Sequence, residues 1–168
     1  MNIYFSGSHG TGKTTLVENL YTPLNLIKIK EIFRSVMDAG VYKQGTLEIQ
    51  QNVASVMYGI STQLQQNFIS DRSLIDVMAY SELQNFATDD IEIYLKNLNY
   101  YKNDLIIFTP IEFPLVKDGV RFEGKEFQQQ VEDKILEILA RYKINYKVVS
   151  GSVESRIKQV KAFYQEKK

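Results

Sequence analysis

The chain is 168 residues long, has a formal net charge of zero and contains no cysteine. That length predicts one domain with a substantial core, and the neutral balance supplies no sequence-wide field toward nucleic acid or an anionic membrane. Disulfides and thiolate metal sites are excluded, and no apolar run approaches a membrane span.

Met1 leads straight into an apolar and aromatic stretch, residues 2–6, that reads as a buried strand. No targeting segment is expected ahead of it, and a reducing, cytoplasmic setting fits the lack of cysteine. Gly7-Ser8-His9-Gly10-Thr11-Gly12-Lys13-Thr14 follows, and then Thr15 and a Gly- and Pro-free run with Leu16, Val17 and Leu20 on one helical face. Strand, glycine-rich loop and helix occur here with the spacing G-x-x-x-x-G-K-T. Glycines let successive backbone N–H groups turn toward a phosphate, and the helix N-terminus adds partial positive charge. Lys13 is placed to reach the β- and γ-phosphates, and the Thr14 hydroxyl to ligate Mg2+. Residues 7–15 are therefore expected to bind a nucleoside triphosphate, ATP. His9, the only histidine, lies in this loop, at a position expected to face solvent or the γ-phosphate edge, and no chemistry is assigned to its ring.

Residues 24–30 read as a second strand, and residues 31–39 as a short helix stopped by Gly40. A long helix is expected over 46–67, with Ile49, Val53, Val56, Met57, Ile60 and Leu64 as its core stripe. Residues 68–70 form a brief third strand that ends at Asp71-Arg72. Ser73 is a candidate N-cap for a helix through Leu83, and Thr88 for another through Leu98. Residues 104–109 are the clearest buried strand, closed by Pro110. Residues 111–125 read as a loop or lid, and a helix over 126–142, a strand over 146–149 and a helix over 153–164 complete the chain. No repeat or linker composition marks an internal boundary. Five strands alternating with helices imply an α/β fold, a parallel sheet covered on both faces, with ligands at the carboxyl ends of its strands.

The third strand bears on the reaction. In motor-type ATPases the corresponding Asp is followed by a Glu that activates water; here Asp71 is followed by Arg72. Arginine cannot serve as that base but can neutralise phosphate charge. There is no N-K-x-D element for reading guanine. Transfer to an acceptor is favoured over hydrolysis.

Gly7 to Thr15, Asp71-Arg72-Ser73 and Asp118-Gly119-Val120-Arg121 together resemble the small P-loop nucleoside and nucleotide kinases. The likeness is greatest to the bacterial and phage AAA-domain kinases related to ribosylnicotinamide kinase, in which a Glu-x-x-Arg follows the second strand, as Glu31-Ile32-Phe33-Arg34 does here. Asp71-Arg72-Ser73 is also similar to the acid-Arg pair of thymidylate and deoxynucleoside kinases, although the Asp-Arg-Tyr of the former and the arginine-paired lid of the latter are missing. The resemblance spans nearly the whole chain. It implies a three-layer P-loop fold with the kinase-type strand order 2-3-1-4-5.

Phosphoryl transfer needs positive charge around three equatorial oxygens. Of the five arginines, Arg34, Arg72 and Arg121 fall at or just beyond predicted strand ends, whereas Arg141 and Arg156 fall on predicted surface helices. Arg72 is assigned to the transferring phosphoryl group or the acceptor's phosphate, and Arg121 to a lid closing over the triphosphate; surface ion pairs are the dull alternative for both. Asp71 is expected to hold Mg2+ opposite Thr14. Similarity to deoxynucleoside kinases makes Glu31 a base for a sugar hydroxyl; with a phosphate monoester as acceptor it would only orient the sugar. Arg34 shares its helical face and either binds an acceptor phosphate or forms an ordinary i, i+3 pair with Glu31. Gln50, Gln51 and Tyr58 are candidates to read a base, against a plain solvated helix face. Phe113 and Phe122 are placed either to pack on adenine or in the core.

The reading is an ATP- and Mg2+-dependent kinase acting on a nucleoside or (deoxy)nucleoside monophosphate. Its rivals are a kinase for a hydroxymethylated base within DNA and a nucleotide-dependent ATPase switch. No membrane and no stable nucleic-acid partner is expected, and the oligomeric state is left open between monomer and homodimer.

Overall fold

In a computed structural model the described residues are 1–30, 32, 46–97, 103–113 and 124–168. Five short strands carry the architecture: β1 (Ile3–Ser6), β2 (Ile27–Ile29), β3 (Phe68–Ser70), β4 (Leu105–Phe108) and β5 (Lys147–Val148). They form one parallel sheet in the order β2-β3-β1-β4-β5, with registers such as Ile3↔Ile69 and Ile3↔Leu105. This is the strand order that the resemblance implied. β1, β3 and β4 are buried along their whole length, as all-parallel central strands must be, while β2 and β5 close the edges.

Among the described residues, six helices flank the sheet: α1 (Lys13–Leu20), α2 (Leu47–Gln63), α3 (Leu74–Leu83), α4 (Asp89–Asn97), α5 (Lys125–Arg141) and α6 (Val153–Lys167). Alternation along the strands divides the core in two. Ile3, Phe5, Ile69, Leu105 and Ile107 face Leu16, Val17 and Leu20 of α1 and Val160 and Tyr164 of α6. Tyr4, Phe68, Ile106 and Phe108 face the other way, against Val53 and Met57 of α2, Ile75 and Met78 of α3 and Val131 and Ile135 of α5.

Several boundaries and faces differ from expectation. The second strand is shorter because the chain turns at Asn25, in the left-handed region at φ 53°, and Leu26 N–H donates to Tyr21 O. α2 stops at Gln63, where Leu64 turns extended. Its buried face is Ile49, Gln50, Val53, Ala54 and Met57, so Val56 lies at the margin and is 46% exposed. The helix expected over 31–39 lies outside the described residues apart from Ile32. So does most of the segment expected to form a lid, of which 111–113 and 124–125 are described. No helix among the described residues is long and apolar enough to cross a membrane.

Candidate active site

The glycine-rich loop leaves the carboxyl end of β1 and closes into α1. Gly7 sits where β4 ends: a Cβ there would lie 2.4 Å from Thr109 Oγ1 and 2.5 Å from Thr109 O, so no larger residue fits. Gly12, at φ 88°, is the N-cap of α1 in a conformation that L side chains avoid.

The loop's carbonyls are taken by the protein itself. Lys13 Nζ, buried at the loop's centre, donates to Gly7 O and Ser8 O, both at 2.7 Å. Thr11 Oγ1 also donates to Ser8 O at 2.9 Å and pairs with Thr109 Oγ1 at 2.9 Å. Gln128 Nε2 of α5 donates to His9 O at 2.7 Å, and Arg156 Nη1 of α6 donates to Thr11 O at 2.8 Å. Gly12 O accepts Leu16 N–H, the first bond of α1, so the N–H groups of Thr14 and Thr15 precede any intrahelical acceptor. Donors from α1, α5, α6 and the loop itself take up its carbonyls, which leaves the loop's amides for a ligand, and amides at a helix N-terminus bind anions. This cradle fits a polyphosphate.

The second half of the site hangs from β3. Asp71 is buried, and its Oδ2 accepts the Thr14 hydroxyl at 2.6 Å. Two hard oxygens thus meet at one spot beside the phosphate cradle, the partial donor set that Mg2+ completes with substrate phosphates and water. Among the described residues no cluster of three or more His, Cys, Asp or Glu could hold a metal without such help. Arg72 is half-buried, with its guanidinium carbon 5.1 Å from the centre of the Tyr80 ring. Asp76, wholly buried, accepts Gly7 N–H at 3.0 Å through Oδ1 and both Ser73 N–H and Ser73 Oγ through Oδ2, at 2.9 and 2.7 Å.

The structure therefore brings together residues 7–15, Asp71 and Arg72. Glu31, Arg34, Arg121 and Phe122 lie outside the described residues. His9 departs from expectation: it is 2% exposed, with Nδ1 3.1 Å from the Tyr80 hydroxyl, because α3 and α5 close over this part of the loop. Gln50 is on no solvated face; it is buried near the start of α2, and its side chain makes no hydrogen bond among the described residues. Gln51, the next residue, is half-buried. Tyr58 packs toward α4. It sits eight residues further along α2, about 12 Å at the helical rise, and stacks on Tyr94 of α4 at 4.4 Å between ring centres.

Arg156 is the largest correction. Expected on the surface, it is 1% exposed: Nε donates to Gly151 O at 3.1 Å, Nη2 pairs with Glu112 at 2.8 Å, and Phe113 covers its face at 4.6 Å. The signal was present, since Arg156 precedes Val160 and Tyr164 on the buried i, i+4, i+8 stripe of α6. Asp76 was legible as well, as the acid of an S-x-x-D capping box. Gln128 carries no local signal, as its role depends on where α5 docks. Arg141 does lie at the surface, paired with Glu82 and Glu137.

Comparison with known proteins agrees with this geometry. The AAA-domain family matches residues 2–156. A probable thymidylate kinase of Methanocaldococcus jannaschii is 26% identical over 92% of this chain and 89% of its own length. Among solved structures, the NadR protein in complex with NAD and AMP-PNP superposes with a TM-score of 0.74 at 18% identity, over 98% of this chain; this chain spans about half of NadR, 48% of its length. Deoxyadenosine kinase from M. mycoides matches over the full length of both chains with a TM-score of 0.65 at 18% identity. Thymidylate kinase from Ehrlichia chaffeensis gives 0.66 at 18% identity, over 99% of this chain and 97% of its own. Cradle, strand order and family match converge: the chain belongs to this AAA-domain family and has the fold of the small P-loop proteins on which it superposes.

Proposed function

We propose that the protein transfers the γ-phosphoryl group of ATP to a nucleoside or a (deoxy)nucleoside monophosphate. The observation that carries this reading is the meeting of Thr14 and Asp71 at 2.6 Å at the mouth of a braced phosphate loop, with Arg72 and no second acid next in the chain. Such a site has the parts for charge neutralisation and lacks, after Asp71, the glutamate that would activate water.

In this reading the amides of residues 8–15 hold the phosphates. Lys13 exchanges its loop carbonyls for β- and γ-oxygens, which a lysine on a flexible stem can do without moving the backbone. Thr14 Oγ1 and the Asp71 carboxylate would hold Mg2+, which would supply further charge neutralisation. Arg72 lies against the transferring group. An acceptor oxygen forms the new bond to the γ-phosphorus as the bond to the β-bridging oxygen breaks, and ADP leaves. If the acceptor is a sugar hydroxyl, Glu31 takes its proton; a phosphate acceptor needs no strong base. Arg34 and Arg121 complete the charge, the first on the acceptor and the second over the triphosphate. Gln50, buried and unpaired among the described residues, is suited to hydrogen-bond a base edge, a role its geometry supports better than that of Tyr58. Phe113, 37% exposed beside Gly12, has one ring face on Arg156 and is placed to flank the nucleotide's base.

The test is incubation with labelled ATP, Mg2+ and a panel of nucleosides, monophosphates, nicotinamide riboside and hydroxymethylated DNA. Labelled nucleotide product is expected. Steady release of phosphate with no labelled acceptor would overturn the proposal in favour of an ATPase.

A further inference from the structure

We infer that Asp76 is a positioning residue that fixes the metal-binding separation between Thr14 and Asp71. The inference rests on the nucleotide site proposed above and concerns a residue that touches neither nucleotide nor metal. Its carboxylate is 0% exposed, and among the described residues no ion pair neutralises it. A buried charge of this kind is costly unless its lone pairs are filled. Here they are filled by donors from two separate segments: Gly7 N–H on Oδ1, and Ser73 N–H and Ser73 Oγ on Oδ2. Its place in the first turn of α3 adds the favourable end of the helix dipole.

The requirement for a charged residue follows from the donors. Gly7 N–H and Ser73 N–H both need an acceptor, and only a carboxylate offers one on each side of a single side chain. An asparagine accepts on one side and presents its own N–H groups on the other.

The bridge lies where the sheet no longer holds the two segments. The β1–β3 ladder ends at Tyr4↔Ser70. Beyond it β1 runs into Gly7 and the loop that ends at Thr14, and β3 into Asp71, Arg72 and Ser73. The Asp76 carboxylate spans these two runs at Gly7 and Ser73. The Thr14–Asp71 contact at 2.6 Å is then the far side of a frame whose near side is Asp76. Loss of the bridge lets the loop and the acid arm drift apart without changing either metal-binding oxygen.

The experiment compares ATP affinity with and without Mg2+, by calorimetry and with no acceptor present, in the wild type, Asp76→Asn and Asp76→Ser. Partners bonded directly to a metal's ligands are worth about 10- to 100-fold in its affinity. Asp76 acts one step further out, through Gly7 and Ser73. Both variants should therefore lose about tenfold, the lower end of that range, of the Mg2+-dependent gain in ATP binding while metal-free affinity stays within about threefold. Serine still offers an oxygen to the α3 turn but does not span to Gly7, so Asp76→Ser reports on the bridge even if Asp76→Asn fails to fold. Amide exchange supplies a readout independent of nucleotide: Gly7 N–H should be protected in the wild type and exposed in the variants, with Phe5 N–H protected in both. Unprotected Gly7 in the wild type would overturn the inference. So would a variant that melts lower yet keeps the full Mg2+-dependent gain. Because no acceptor is used, a chain that shows the expected loss but phosphorylates nothing refutes the kinase reading and leaves this one standing.

Discussion

Replacing Arg156 by methionine removes the guanidinium and keeps an unbranched stem in the same slot. Of the guanidinium's three hydrogen-bonded partners, Gly151 O belongs to an exposed residue and rehydrates, which leaves two losses of different size. Thr11 O, in a residue 1% exposed, loses its donor at 2.8 Å, and an abandoned buried acceptor costs about 2 kcal/mol. Glu112 loses its partner at 2.8 Å, but its side chain is 31% exposed and rehydrates, which limits that term to about 1 kcal/mol. A sum of about 3 kcal/mol lowers the melting temperature of a chain this size by roughly 6–12 °C. Thermal unfolding followed by circular dichroism measures it, and Arg156→Met/Glu112→Gln should recover about 1 kcal/mol by removing the orphaned acid. The lost brace also loosens the phosphate loop, so ATP affinity measured well below the melting temperature should fall about tenfold, which is 1.4 kcal/mol. An Arg156→Met protein that melts within about 2 °C of the wild type and binds ATP normally would refute the claim that the buried arginine braces the loop.

Lys13→Ala should abolish phosphoryl transfer while the far-ultraviolet spectrum is unchanged, since the lysine's loop contacts are polar and local. Arg72→Ala should lower kcat by about a thousandfold or more, with little change in ATP affinity by calorimetry; normal turnover would remove its assignment. Gly7→Ala forces a methyl to within 2.4 Å of Thr109 and should prevent nucleotide binding, as measured by the absence of any ATP-induced rise in melting temperature. Glu112 is held below the usual carboxylate range, first by its Arg156 hydrogen bond and then by Gly151 N–H. Its contribution to stability is complete above the ordinary carboxylate pKa and is lost as pH falls through the lower folded value. The stability difference between wild type and Glu112→Gln should therefore shrink on acidification below about pH 4.3. Taking that difference cancels Glu132, whose pKa burial shifts upward with the opposite sign.

Much of this site is legible in one dimension because its parts are local. Lys13 sits one residue past Gly12 and must point into the loop, and Asp71 closes a strand whose neighbour is β1, so the parallel order alone brings it to Thr14. The helices whose apolar stripes read cleanly formed where expected, within a turn. Readings that needed a rotation angle were weaker. Val56 and Gln50 exchange places relative to a simple hydropathy stripe, because α2 packs with Ala54 inward and carries its polar residue into the core. Arg156 runs against the rule that charge marks exposure, because its position on α6 is that of a core residue. His9 departs from expectation for the opposite reason. A loop position is exposed only if nothing docks over it, and here Tyr80 and Gln128 do.

The electrostatics of the site follow from the same arrangement. A chain with zero net charge cannot attract a polyphosphate by its overall field, so the attraction must be built locally from oriented dipoles and a few fixed cations. The loop achieves this by disposing of its own negative ends. Donors from Thr11, Gln128 and Arg156 take carbonyls that would otherwise face the ligand, while Asp76, a carboxylate at the loop's base, is spent on Gly7 N–H and Ser73. Two of these donors come from α5 and α6, and the Arg156 contact spans 145 residues. The loop's own eight residues therefore specify a shape that is completed only when the last helix has docked. Phosphate affinity is in this sense a property of the finished fold: a chain lacking α6 would retain the glycine-rich motif and lose the donor that holds Thr11 O.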